Sequence, residues 1–194
     1  MEYSFWGGLM LMVLMADPLG NIPITISCMK NVPNKRRTFV LFRECMIAMG
    51  MLLLAMFFGR PFLAAIGLSD AALSIGGSVI VMLMAIRMVF PTQEGVFGQT
   101  PGGEPYIVPI AIPAIAGPST LATIMMLAAS EPNRLFEWGA VVVITCVVSF
   151  FVLASADWLE RHMGEKLTLA FERLTGLLLA MMATQDRKSV VYGK

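Results

Sequence analysis

Apolar residues run along this chain in blocks of roughly membrane length, separated by short polar connectors. A bilayer core takes about 20 apolar residues as helix. Six stretches approach that length: 5–28, 39–58, 73–90, 107–129, 138–157 and 167–185. The uninterrupted apolar part of the last is 174–183. The apolar piece at 62–69 is too short to span and is expected to form a re-entrant turn or an interfacial segment. The connectors carry turn chemistry, as in Asn31-Val32-Pro33-Asn34, Thr100-Pro101-Gly102-Gly103-Glu104-Pro105 and Ser130-Glu131-Pro132-Asn133. The pattern predicts an all-α polytopic membrane protein with six transmembrane helices.

Two of the blocks are interrupted. Asp17-Pro18-Leu19-Gly20-Asn21-Ile22-Pro23 breaks the first, and Pro109, Pro113, Gly117 and Pro118 break the fourth. Pro removes a backbone donor and blocks a helical turn. Bare backbone in hydrocarbon costs several kcal/mol per unsatisfied group, so such breaks persist only where protein or a water-lined cavity covers them. Each break opens a set of three apolar blocks. Each set closes on a Gly-started apolar run, at Gly76-Gly77 and at Gly176. An odd number of spans per half inverts the halves in the membrane. The reading is a 3+3 inverted repeat with helices 1 and 4 broken: residues 1–91, a connector at 92–105, then 106–185. Paired interrupted helices at corresponding positions are a sequence-level pointer to a transporter's central site.

Composition narrows the class. Of 194 residues, 57% are hydrophobic and 14% charged, against about 25% charged in a soluble domain. A net charge of +1 gives no reason to expect a nucleic-acid partner. Cys28, Cys45 and Cys146 have no ligand spacing, and His162 is the single histidine, so no metal or cofactor is expected. No zinc helix or nucleophile elbow is present, so the chain does not read as an enzyme. The first apolar run follows Glu2 and no basic stretch, and reads as a membrane segment rather than a cleavable signal. Residues 186–194 turn abruptly polar and read as a foreign or atypical tail.

Lysine and arginine placement sets orientation. Lys30, Lys35, Arg36, Arg37, Arg43, Arg87, Arg161, Lys166 and Arg173 flank the odd connectors, against Arg60 and Arg134 on the even ones. Nine against two puts the odd connectors in the cytoplasm and both termini in the periplasm.

The same motifs carry a family resemblance. Asp17 through Pro23, Ile107-Val108-Pro109-Ile110-Ala111-Ile112-Pro113 with Ala116-Gly117-Pro118, and Glu172-Arg173-Leu174-Thr175-Gly176 through Gln185 together resemble the MarC family, in particular its YhgN-like branch. The resemblance covers about residues 1–185, in the family's order and spacing. It implies a six-span bacterial inner-membrane protein with 3+3 inverted repeats, and transport of small neutral amino acids. The family would continue apolar after Gln185, where this chain enters its polar tail.

The candidate substrate-binding residues are Asp17, Gly20, Asn21, Gly117, Ser119 and Thr120. An intramembrane acid is a functional-site hypothesis by default. Asp17 has two readings of equal weight: it binds a substrate ammonium or coupling ion, or its carboxylate caps the half-helix after the break. Asn21 binds substrate or bridges the broken backbone. Gly20 and Gly117 permit close approach or unusual dihedrals. Pro18, Pro23, Pro113 and Pro118 set the breaks. Ser119 and Thr120 open a new half-helix, whose free N–H groups suit a carboxylate. Asp17 on one repeat and Ser119/Thr120 on the other would clamp a zwitterion if the breaks meet. Arg43 with Glu44, and Glu172 with Arg173, are gate candidates, with interfacial snorkelling as the alternative.

The resulting expectation is an inner-membrane secondary transporter of a small solute working by alternating access. The bilayer and the solute are its partners, and H⁺ or Na⁺ the candidate coupling ion. The alternatives are a passive channel or a structural role in assembly.

Overall fold

The computed structural model describes residues 4–30, 32–67, 69–90, 105–156 and 158–159, with separate helical positions between 170 and 184. Residues 92–104, Asp157, His162, Glu172 and the tail 186–194 lie outside the described residues, as does most of the sixth apolar stretch.

The fold is all-α. Helix α1 covers Phe5–Ala16, α2 Ile22–Met29, α3 Asn34–Ala65, α4 Asp70–Val89, α5 Pro118–Ser130 and α6 Leu135–Ala154. An irregular wide turn, Ile110–Ile115, precedes α5. The first apolar block is thus two helices, α1 and α2, split at Asp17–Asn21. The fourth block is the wide turn and α5, split at Ala116–Gly117.

Local chemistry accounts for the ends. Ser4 caps α1 by accepting from the Gly7 N–H at 3.1 Å, and Ser69 caps α4 by accepting from the Ala72 N–H at 3.2 Å. Pro23 lies in the first turn of α2 and Pro118 in that of α5. At those places the missing N–H is no loss and the fixed φ favours helix. These prolines start half-helices as well as stopping the helices before them.

Helix α3 differs from expectation. It runs through Arg60 and Pro61 to Ala65, so the piece at 62–69 is neither a re-entrant turn nor a separate interfacial segment up to that residue. The chain turns only at Ile66 and Gly67, where Gly67 takes a positive φ of 68°. Proline removes one interior hydrogen bond, and here the helix continues past it by a single further turn.

Among the described residues, α3 and the stretch Pro132–Ala154 are long and apolar enough to cross a bilayer, and α1 and α5 are shorter apolar helices. Their outer faces stay apolar, as at Phe57, Phe58 and Phe62 of α3 and at Val143, Val147 and Phe151 of α6. The i, i+4, i+8 spacing of the last three is one helical face, which suits hydrocarbon.

Helix α6 lies between α1 and α3 and supplies the centre of the core with Trp138, Val141, Val142 and Leu153. Gly8 of α1 sits directly under the Trp138 ring; a Cβ there would fall 2.4 Å from it. The Arg134 guanidinium covers the same indole at 5.0 Å and ion-pairs with Glu131 and Glu137.

Candidate functional site where the two broken helices meet

The last four carbonyls of a helix have no partner within it, and inside a membrane they need one from protein. All four are satisfied at the end of α1. The Asp17 N–H donates to the Val13 and Leu14 carbonyls at 3.1 and 3.3 Å. The Thr120 hydroxyl donates to the Met15 carbonyl at 3.1 Å. The Asn21 amide donates to the Ala16 carbonyl at 2.9 Å. Two of the three donors are side chains, and Thr120 comes from the other half of the chain.

Asn21 uses its second amide hydrogen in the opposite direction. It donates to the Ala114 carbonyl in the wide turn at 2.8 Å. One NH₂ therefore ties the end of α1 to the second break. Met15 meets Thr120 while Asn21 meets Ala114, so the two segments pass in opposite chain order. Asn21 is 6% exposed and Thr120 1%; the Asn21–Ala16 hydrogen bond is buried and the two that cross between the breaks are part-buried, and a buried one is expensive to leave unmade.

Asp17 adopts φ 40°, ψ 58° at the end of α1. L-residues rarely take this left-handed conformation, and Asp is among the more tolerant. Its Oδ1 accepts from the Gly20 N–H at 3.1 Å. The other carboxylate oxygen packs over Gly20, where a Cβ would lie 2.2 Å from it. Asp17 thus shapes the turn into α2, and it is half-buried. Pro18 is buried within that turn.

The second break has a different chemistry. In the wide turn the Ile112, Ala114 and Ala116 N–H groups reach back five residues, to the Ile107, Pro109 and Ala111 carbonyls, at 2.9, 3.1 and 2.8 Å. Pro113 lies inside it. Gly117 precedes α5 with φ −76°, an ordinary value. What requires glycine is proximity: a Cβ would stand 2.7 Å from the Pro113 carbonyl oxygen. No side chain caps α5. Ser119 is half-buried at its first turn, and its carbonyl accepts from the Thr123 hydroxyl at 2.8 Å.

Of the gate candidates, Arg43 and Glu44 pair with each other, with Arg43 Nη2 2.9 Å from Glu44 Oε1. Arg43 also donates to the Pro105 carbonyl and covers the Tyr106 ring at 4.8 Å. Arg173 is exposed, and its sequence neighbour Glu172 is outside the described residues.

Sequence reasoning passed over a set of buried hydroxyls: Thr25, Thr123, Thr145 and Ser149. The i, i+4 spacing of Thr145 and Ser149 on an otherwise apolar helix is the signal that marks them.

A family model described as "MarC family integral membrane protein" matches residues 3–186. The chain belongs to the MarC family. The inner membrane protein YhgN of Escherichia coli (strain K12) is 42% identical over 176 residues, which cover 90% of this chain and 89% of the relative. A membrane protein of Buchnera aphidicola from Acyrthosiphon pisum is 39% identical over 175 residues, 90% of this chain and 89% of its own length. A Chlamydia pneumoniae membrane protein is 29% identical over 175 residues, 90% and 87% of the two chains. No solved structure gives a significant match. MarC membership makes this chain an integral membrane protein of the YhgN-like branch. The family description names no enzymatic activity.

Proposed function

We propose that this MarC-family chain is a secondary transporter of the bacterial inner membrane, built as six spanning helices in two inverted repeats of three. The observation that carries the reading is the lacing of the breaks: Asn21 donates to Ala114 and Thr120 donates to Met15, in opposite chain order. Two interrupted helices crossing antiparallel support an inverted relationship between halves 1–91 and 106–185. Broken helices packed on each other are also where carriers of this architecture hold their solute. The membrane assignment draws on the relative's printed name, an inner membrane protein. The orientation, with both termini periplasmic, follows from the basic residues.

The solute is a small zwitterion, with neutral amino acids the first class to test. The Asp17 carboxylate would face its ammonium group. The uncapped start of α5, at Ser119 and Thr120, would face its carboxylate. Gly20 and Gly117 keep Cβ atoms out of both turns. Asn21 and Thr120 hold the breaks together, so their contribution is to position the site. Rocking one repeat against the other would expose it alternately to the two sides.

The test is counterflow of labelled alanine, serine and glycine in proteoliposomes, with and without H⁺ or Na⁺ gradients. Saturable counterflow that Asp17→Asn abolishes supports the clamp. Normal transport by Asp17→Asn and by the Ser119→Ala/Thr120→Val double variant removes it. Uptake that never exceeds equilibrium under any gradient favours a passive channel.

A further inference from the structure

Glu44 is 0% exposed, on a helix long and apolar enough to span the bilayer. Its Oε1 is held by Arg43. Its Oε2 is buried and accepts from no donor among the described residues. A buried carboxylate oxygen without a donor is costly, and a charge so placed marks a functional site more often than a structural one.

Its depth can be read against α6. Phe42 packs edge-on to Phe150, and Met56 lies against Gly139, so α3 and α6 run antiparallel. Gly8 lies under Trp138, while Thr25, Met29, Leu41 and Leu153 line one small cavity. The first broken helix therefore runs parallel to α6. From that cavity, Asn21, Glu44 and Ser149 each lie one helical turn further along in the same direction. This is the layer in which Asn21 ties the two breaks.

The layer holds other open polar atoms. Threonines in helices commonly donate back to the carbonyl four residues earlier, as Thr25 does to Asn21 and Thr123 to Ser119. The buried hydroxyls of Ser149 and, one turn beyond it on α6, Thr145 make no such bond and have no partner among the described residues. Among the described side chains, the titratable and charged groups placed near Glu44 or its partner Arg43 are Cys45 of α3, Cys146 of α6 and Tyr106 before the wide turn; Lys35, Arg36, Arg37 and Arg60 of α3, Cys28 of α2 and Glu137 of α6 lie further along their helices. Among the described residues, Arg43 is its one ion-pair partner.

We propose that Glu44 is a proton-binding carboxylate in the layer of the two breaks, and that Arg43 passes its charge state to the segment opening the second broken helix. The step is a simple protonation. Oε2 takes a proton from hydronium: one O–H bond breaks there, one forms on the carboxylate, and a neutral acid and a water molecule result. Arg43 then loses its counter-charge while keeping the Pro105 carbonyl and the Tyr106 ring, both at the entrance to the wide turn. One carboxylate with two hydroxyls is enough for a proton and a poor set for a desolvated metal cation. The use of this proton to drive a solute rests on the transport reading; the proton site itself does not.

The experiment is infrared difference spectroscopy of the full chain in lipid, titrated with pH in potassium buffer. A carboxyl C=O band from a buried, protonated group is expected to rise on acidification. It should vanish in Glu44→Gln and move to a new frequency in Glu44→Asp. Because Glu44→Gln could fold poorly, Arg43→Gln is the second variant. It removes the guanidinium that donates to Oε1, so it should move the band's frequency, and Lys35→Gln should not. A band unchanged in Glu44→Gln, no band at any pH, or a band erased by Na⁺ at constant pH each overturns the proposal. A Glu44 band in a protein that shows no counterflow leaves the proton site standing and removes the transport reading. Counterflow without the band does the reverse.

Discussion

At the first break, side chains close the gap. Asp17 holds the turn through the Gly20 N–H, and Asn21 satisfies one carbonyl behind it and one across from it. At the second break the backbone does that work, through five-residue hydrogen bonds and a glycine pressed against the Pro113 carbonyl. The first break thus carries the negative charge and spends its polar groups on its own geometry. The second leaves the start of α5 without a side-chain cap. In two crossed half-helices, this asymmetry separates an acid from a set of amide donors, which is what a zwitterion needs. It also means that the two breaks should respond differently to the same kind of substitution.

The largest effect is expected from Asn21→Leu. It keeps the branched skeleton, removes both donors, and leaves the buried Ala16 carbonyl and the part-buried Ala114 carbonyl unpaired. Each costs about 1–3 kcal/mol, so roughly 2–6 kcal/mol in all. Thermal unfolding in detergent should fall by many degrees, or the protein should fail to elute as a single species. A melting temperature within a degree or two of the parent would mean that the lacing does not hold the breaks.

Next comes the pair of glycines. Gly117→Ala places a Cβ 2.7 Å from a backbone oxygen, which only a main-chain shift relieves, at about 1–3 kcal/mol. Gly20→Ala meets a side-chain carboxylate at 2.2 Å, and that carboxylate can swing away. Combining each with Asp17→Ala discriminates between them by melting temperature. The Gly20→Ala penalty should shrink by half or more in the Asp17→Ala background, because the clashing atom is gone. The Gly117→Ala penalty should stay the same. Equal behaviour of both would erase the contrast between a side-chain break and a backbone break.

Much of this was legible in the sequence, and the reasons are physical. Prolines and glycines act on their own turns, so Asp17, Pro18, Pro23, Pro113, Gly117 and Pro118 mark the breaks locally. The bridging reading of Asn21 was equally local, since an amide beside freed carbonyls has few better uses. Its second partner, Ala114, lies 93 residues away, and no periodicity records a contact of that kind. For Glu44 beside Arg43 the sequence leaves a gate pair and interfacial snorkelling both open, because hydropathy cannot tell a side chain at a helix end from one turned into the core. Helix α3 runs one turn past Pro61 because a proline removes a single hydrogen bond without ending the helix, and the chain turns only where Gly67 takes its positive φ.

A smaller effect separates charge from shape at Asp17. Asparagine also tolerates the left-handed conformation and can accept from the Gly20 N–H. Asp17→Asn should therefore change stability by less than about 1 kcal/mol, while Asp17→Ala loses both and costs about 1–2 kcal/mol. If Asp17→Asn melts like the parent yet abolishes counterflow, the carboxylate charge serves the solute. If both variants lose stability alike and Asp17→Asn still transports, the residue is only a cap.

The smallest quantity to be measured is a coupling energy at Thr120, and it bears most directly on how the halves are joined. Thr120→Val keeps the β-branched shape and removes a single hydrogen bond to the Met15 carbonyl. The other three terminal carbonyls of α1 keep their partners, so the cost is about 1 kcal/mol, a shift of a few degrees. Thr120→Ser should restore the hydroxyl and most of the stability. The informative measurement is the double-mutant cycle with Asn21→Ala. Both side chains clamp the same crossing from opposite sides, so the pair should couple by more than about 0.5 kcal/mol, as residues in one network do. Additive losses would mean that each hydrogen bond only mends its own helix end. The antiparallel crossing would then be a consequence of packing rather than a joint between two repeats.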